Sequence, residues 1–81
     1  MLWFWPPVNV KELSTGHTVV VKSVEGAIEQ MQTWPKKMPI PPKLKAAYPI
    51  CYGVMEGKHT VDEAREAFDA AAREAKVWRA E

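Results

Sequence analysis

The sequence predicts a small α+β domain, in which an N-terminal β-hairpin is followed by three α-helices packed on one face of a small antiparallel sheet. Two observations carry this prediction. β-branched residues alternate with polar ones near the N-terminus, and apolar residues then recur at helical spacing in three later segments. With 81 residues the chain forms one domain with a thin core, so residues 1–81 are treated as a single unit.

The β-hairpin is predicted over residues 8–22. Val8 and Val10 share one face of the first strand, because side chains alternate along a strand. Val19 and Val21 share one face of the second strand, within a β-branched run that suits a pleated surface. Pairing these two faces gives the sheet one hydrophobic side, which the helices must cover.

Residues 1–7 are predicted as an aromatic and proline-rich arm that precedes the hairpin. Trp3, Phe4 and Trp5 are consecutive, and in an extended chain neighbouring side chains point to opposite sides. At least one of them is therefore expected to lie exposed or to bury against another protein, which makes the three a candidate protein-interaction site. The alternative is that Trp3 and Trp5 pack over the helices of their own chain.

The first helix is predicted over residues 23–34, with Ser23 as its N-cap. Pro35 ends it, because the residue before a proline disfavours the α-helical region. Residues 35–42 hold four of the seven prolines and two lysines, which is typical of an extended linker.

The second helix is predicted over residues 43–56, opened by Pro41 or Pro42. Pro49 falls inside it, where a proline costs about 3 kcal/mol or more by losing a hydrogen bond and clashing with the preceding turn. We therefore expect a helix that is kinked at Pro49 or starts late, near that residue.

The third helix is predicted over residues 60–77. Thr60 and Glu63 have the spacing of a capping box, in which each side chain binds the other residue's backbone amide. Alanines and Phe68 form one face of this helix, and charged residues spaced for i,i+4 pairs form the other.

Several of these segments together resemble a bacterial, alphaproteobacterial domain-of-unknown-function family, number 982. The resemblance extends from Pro7 to Val77 and is most distinctive in the alanine-rich block 64–75. Lys76 departs from the family pattern, where glycine is expected as the helix stop. The resemblance implies a small bacterial α+β protein and no particular activity. The other residues that carry it are Val8, Val10, Val21, Ser23, Trp34, Pro35, Ala47, Cys51 and Gly57.

The charge balance gives a formal net charge of +1, which is too small to favour nucleic acid or an anionic membrane as the main partner. The positive charge is nevertheless concentrated in one segment. Four lysines within ten residues could make weak contacts to nucleic acid or another anion, and these are Lys36, Lys37, Lys43 and Lys45.

Candidate catalytic residues each have a sufficient structural explanation. Cys51, the single cysteine, lies on the apolar stripe of the second helix and is expected to be buried and unreactive. His17 and His59 are expected in exposed loops, without the short spacing that a metal or acid–base pair would need. We therefore predict no catalytic residue, no metal site and no cofactor.

The sequence alone leaves the function unknown. It favours a non-enzymatic protein-interaction or regulatory module in the cytoplasm, whose partner is a second copy of itself or another protein. Weak nucleic-acid binding through residues 36–45 is the alternative. No membrane association is expected, because no apolar run approaches the roughly 20 residues that span a bilayer.

Overall fold

The computed structural model of the chain describes residues 2–13, 15–34 and 40–79. The predicted α+β class is confirmed: within these residues, three helices lie against a three-stranded antiparallel sheet with the strand order β2-β1-β3. In chain order the elements are β1 (Trp3–Lys11), β2 (Thr18–Ser23), α1 (Val24–Thr33), α2 (Pro42–Met55), α3 (Val61–Glu74) and β3 (Trp78–Arg79).

The hairpin pairs the two valine faces as predicted. Val8 lies opposite Val21 and Val10 opposite Val19, and three of these four side chains are buried while Val19 is half-buried. The register is irregular between Trp3 and Val8, so β1 does not pair evenly with β2 along its whole length. The inner face of the sheet, defined as the side that carries Phe4, Val8 and Val10, contributes these side chains to the core.

The core is centred on Phe68 of α3, which is fully buried. Its ring stacks on the indole of Trp34 at the end of α1, with 5.7 Å between ring centroids and 20° between the ring planes. Offset aromatic pairs of this kind add about 0.5–1.5 kcal/mol beyond the area that they bury. The fully buried alanines of α3 let α2 and the sheet approach this helix closely, and they are Ala64, Ala71 and Ala72.

The predicted separation of an arm at residues 1–7 is wrong, because β1 begins at Trp3. Phe4 is only 4 % exposed and joins Val8 and Val10 in the core. The amide of Val24 donates to the carbonyl of Leu2 at 2.8 Å, which ties this end of the strand to the start of α1.

The second helix does not start late. It begins at Pro42, one residue before the predicted start, and continues through Pro49 to Met55. Pro49 is exposed, and so is Lys45, whose carbonyl is the one that loses its helical donor. Solvent can therefore satisfy that carbonyl, which explains how the helix tolerates an interior proline. Residues 35–39 form most of the predicted linker and contain two of its prolines and both of its lysines. This segment lies outside the described residues.

The third helix ends at Glu74, three residues earlier than predicted. Lys76 has a φ of 61°, in the left-handed region, and its amide donates to the carbonyl of Arg73 at 3.1 Å. The amide of Val77 donates to the carbonyl of Ala72 at 3.0 Å. These two bonds form a Schellman motif, which normally places glycine where Lys76 stands. Val77 then turns into the core, and the chain continues as β3, a strand that the sequence analysis missed.

Replacing Lys76 by glycine is expected to stabilise the protein by about 0.5–1 kcal/mol, because the left-handed conformation costs a residue with a Cβ roughly 1–2 kcal/mol and part of that gain is offset by the added freedom of the unfolded chain. The matched control is Lys76→Ala, which also removes the charge but keeps the Cβ. Urea denaturation of both variants checks this. An equal change in the free energy of unfolding for both would show that charge, and not backbone conformation, decides the effect.

Candidate interaction surfaces at the sheet

Strands β1 and β2 carry exposed large apolar side chains, which together define what we call the outer face of the sheet. Trp5 is 79 % exposed, and Trp3 and Val20 are each 56 % exposed. Trp3 and Trp5 flank the buried Phe4, and Val20 precedes the buried Val21, so these neighbouring side chains point to opposite sides of their strands. Of the three consecutive N-terminal aromatics, the structure therefore places one in the core and two on this face.

A cation from the neighbouring strand lies over Trp3. The ammonium of Lys22 is 5.5 Å from the centroid of the Trp3 ring, within the range of a cation–π contact. Such a contact is worth about 0.5–1 kcal/mol at an exposed site. It orders the indole on the outer face and places a positive charge beside the exposed apolar groups.

The backbone near Trp3 is held in place by the start of α1. The amide of Leu2 donates to both carboxylate oxygens of Glu25, at 3.0 and 3.3 Å. This bond favours the charged carboxylate and lowers the pKa of Glu25. Trp3 is thus presented by a strand whose end is anchored, which suits a contact surface better than a loose terminus would.

β2 lies at one edge of the sheet and has an outward-facing row of backbone groups. The amide of Lys11 donates to Val77 on the β3 side, whereas the amide of Glu12 donates to His17 on the β2 side. Because backbone groups alternate along a strand, this pattern directs Val19 and Val21 toward β1. The N–H and C=O groups of Thr18 and Val20 therefore point away from the sheet, toward the side that no strand of the described chain occupies.

The opposite edge of the sheet contains a cleft that the sequence analysis did not identify. It has a volume of about 380 Å³ and lies between α3, the Pro6–Asn9 part of β1, and β3. Three arginines line it, namely Arg65, Arg73 and Arg79. Arg65 and Arg73 are two turns apart on one side of α3, and this spacing is the sequence signal that could have indicated a basic surface there. Arg79 joins them only because the chain forms β3, whose two residues lie beyond the predicted end of helix 3 at residue 77.

The predicted lysine cluster is only partly described. Lys36 and Lys37 lie outside the described residues, while Lys43 and Lys45 are exposed in the first turn of α2. Trp34, the nearest indole in the sequence, is buried against Phe68 and cannot stack on a base. The described lysines are therefore not joined by that aromatic group.

Cys51 is fully buried in α2, as expected. Burial disfavours the thiolate and raises the pKa of the Cys51 thiol to about 11. A reactive cysteine requires the opposite shift. In this environment Cys51 packs as a small apolar residue of the core.

The expectation for the histidines is only half right. His17 is exposed near the hairpin turn, but His59 has a partner: its Nδ1 lies 2.9 Å from Oε2 of Glu63. Glu63 also completes the predicted capping box, accepting from the amide of Thr60 at 3.1 Å while the Thr60 hydroxyl accepts from the Glu63 amide. The contact with His59 lowers the pKa of Glu63, with the Thr60 bonds adding to the effect. This cluster fixes the start of α3.

The described residues contain neither a metal-binding cluster nor a membrane-spanning helix. No group of three or more His, Cys, Asp or Glu side chains in residues 2–13, 15–34 and 40–79 is arranged to hold a metal ion. No helix among the same residues is long and apolar enough to cross a membrane.

Comparison with known protein families gives a match over most of the chain. Residues 6–78 match the family described as "Protein of unknown function (DUF982)", which is nearly the whole chain and agrees with the resemblance seen in the sequence. No curated protein and no solved structure matches the chain.

The Cys51 thiol is expected to resist modification in the folded protein. At pH 8 a thiol-specific reagent such as DTNB should react with it only on the timescale of unfolding, because burial both blocks access and keeps the thiol protonated. In denaturing urea the same thiol should react at once. Rapid reaction of the native protein would contradict the buried placement of Cys51.

Proposed function

We propose that this chain, which belongs to the DUF982 family of proteins of unknown function, is a non-enzymatic protein-interaction module. Its proposed partner is a second copy of the same chain. The observation that carries the proposal is the combination of exposed apolar side chains with a free strand edge. Val20 belongs to both, since its side chain lies on the outer face and its backbone points away from β1.

An uncovered strand edge is a template for another strand. Natural proteins protect such edges with bulges, prolines, charged residues or a covering element. Thr18, Val20 and Lys22 provide one cation and no proline along the outward side of β2. Pro6 and Pro7 instead lie in β1, so the prolines of the sheet are not on this edge.

A twofold axis through Val20 gives the pairing that we favour. Two β2 strands would run antiparallel, with Val20 opposite the partner's Val20 and forming reciprocal backbone hydrogen bonds. Thr18 would then lie opposite the partner's Lys22, so that no two lysines face each other. Like charges directly opposite one another are destabilising, and this register avoids them.

The pairing would also extend the outer face across both copies. Two three-stranded sheets would become one six-stranded sheet, within the usual size range of natural sheets. Trp3 and Lys22 lie near the β2 edge, so the ordered indoles of both copies would be brought to the same side of the joined sheet. A small domain buries a modest share of its surface, and association adds burial that one copy cannot supply.

The non-enzymatic part of the proposal is supported by the environment of Cys51, whose raised pKa does not suit a nucleophile. His59 and Glu63 are occupied with each other and with the cap of α3. A single thiol suits a reducing compartment, and we therefore propose a cytoplasmic location.

Weak nucleic-acid binding remains the second candidate, with Lys43 and Lys45 as its described residues. Both are exposed, and Lys45 lies three residues before Tyr48, whose ring is 6.5 Å from that of Tyr52. This aromatic pair could stack on bases, but positive charge in the first turn of α2 is already explained as solvent-exposed surface.

Replacing Val20 by lysine is expected to convert a dimer into a monomer. The substitution would place two ammonium groups on the twofold axis while leaving the inner face of the sheet unchanged. Light scattering coupled to size-exclusion chromatography should give a mass near twice 9.2 kDa for the wild type at high concentration and near 9.2 kDa for Val20→Lys. Val20→Thr keeps the β-branched shape and should dimerise like the wild type. A wild type that stays monomeric at high micromolar concentration would contradict self-association.

The substitution Val20→Pro tests the contribution of the β2 backbone edge separately from that of the Val20 side chain. The Val20 amide points away from β1, so Val20→Pro removes the central intermolecular donor without removing a hydrogen bond of the hairpin. The variant should therefore keep its fold, measured by circular dichroism, and lose the dimer. A folded Val20→Pro protein that still dimerises would show that the association does not use the β2 edge.

A further inference from the structure

We propose that the cleft at the β3 edge of the sheet binds the phosphate group of a small phosphate monoester. This is the cleft of about 380 Å³ bounded by α3, β1 and β3, at the edge opposite the free edge of β2. It is independent of the proposed self-association, because the cleft and the β2 edge share no residue.

Two of the arginines in the cleft are positioned by their Nε atoms. Nε of Arg65 donates to the carbonyl of Pro6 at 2.6 Å, and Nε of Arg73 donates to Oδ2 of Asp69 at 3.0 Å. Within the described part of the chain, the terminal Nη groups of both guanidinium groups have no hydrogen-bond partner. A guanidinium that is fixed through Nε can present its Nη atoms to a ligand with little loss of side-chain freedom.

Trp78 gives Arg73 a second support. The guanidinium carbon of Arg73 lies 4.0 Å from the centroid of the indole ring, which is a close cation–π contact. Trp78 is half-buried against the core, so the ring is a fixed platform. Arg73 is thus held by a carboxylate on one side and an aromatic plane on the other, as a preorganised binding group would be.

The side chains that line the cleft carry a net positive charge. Arg65, Arg73 and Arg79 contribute three positive charges and Asp69 contributes one negative charge, and these are the charged residues that line it. Arg79 lies on β3 opposite Asn9 and is exposed, with no ion-pair partner among the described residues. The whole chain carries a formal net charge of only +1, so the surplus of two positive charges is local to this cleft.

A phosphate monoester fits this surplus better than a carboxylate does. It carries a charge of about −1.5 to −2 at neutral pH and three strong acceptor oxygens, enough for more than one guanidinium. A carboxylate carries a single negative charge and is satisfied by one bidentate arginine. The cleft is also larger than a phosphate ion needs, and its apolar lining by Pro6, Pro7 and Trp78 leaves room for the organic part of an ester.

The test is a titration of the ¹⁵N-labelled protein with three probes, followed by amide chemical shifts. Inorganic phosphate and phenyl phosphate should give saturable shifts at Asn9 and Arg79, and phenyl phosphate should bind more tightly because its ring contacts the apolar lining. Benzoate should bind more weakly than phenyl phosphate. Equal binding of benzoate and phenyl phosphate would overturn the assignment to phosphate, and absence of saturable shifts with both phosphates would overturn the site.

Arg79→Ala supplies the matched variant, because this residue is exposed at the end of the short strand β3 and lies outside the core. It should weaken phenyl phosphate binding about tenfold, the effect of removing one hydrogen bond to a charged group. Lys58→Ala removes one positive charge from the loop between α2 and α3, outside the cleft lining, and should leave the affinity unchanged. Equal weakening by both substitutions would mean that net charge, and not the cleft, attracts the anion, and would contradict the proposal.

Discussion

The structure depends on one constraint: its helices cover only one face of the sheet. Phe68 and Trp34 stack in the buried core on that covered side. An 81-residue chain has enough apolar residues for this single core layer. The outer face of the sheet consequently stays in contact with solvent, and what lies on it becomes a question about function.

The two edges of the sheet have different chemical characters as a result. On the β2 side, exposed Val20 and Trp3 accompany backbone groups that point outward, which suits pairing with another strand. On the β3 side, prolines of β1 and arginines of α3 and β3 form a basic cleft instead. A shared scaffold thus supports two separate hypotheses, self-association at one edge and anion binding at the other.

Local chemistry made much of the fold predictable from the sequence. The alternation of Val8 and Val10, and the Thr60–Glu63 capping box, each depend on residues a few positions apart. The ends of the chain were harder, because they depend on distant contacts. β1 extends to Trp3 because Phe4 finds a place in the core and Leu2 finds partners at the start of α1.

The C-terminal end of the chain shows most clearly which features local sequence patterns could not predict. Nothing local marks Lys76 as a left-handed residue, since glycine is the usual signal for that conformation. Without that turn there is no β3, and without β3 Arg79 does not meet Arg65 and Arg73. The sequence therefore indicated only the Arg65 and Arg73 part of the cleft, through their spacing on one helix, whereas the exposed aromatic pair could be anticipated from alternation alone.

The most direct test of the central claim, that the β2 edge and the outer face form an interface between two copies, is residue-resolved amide hydrogen exchange at low and high protein concentration. The amides of Val19 and Val21 point toward β1 and should be protected at both concentrations. The Val20 amide should exchange rapidly at low concentration and become protected at high concentration. Rapid exchange of Val20 at both concentrations, or protection at both, would contradict the account.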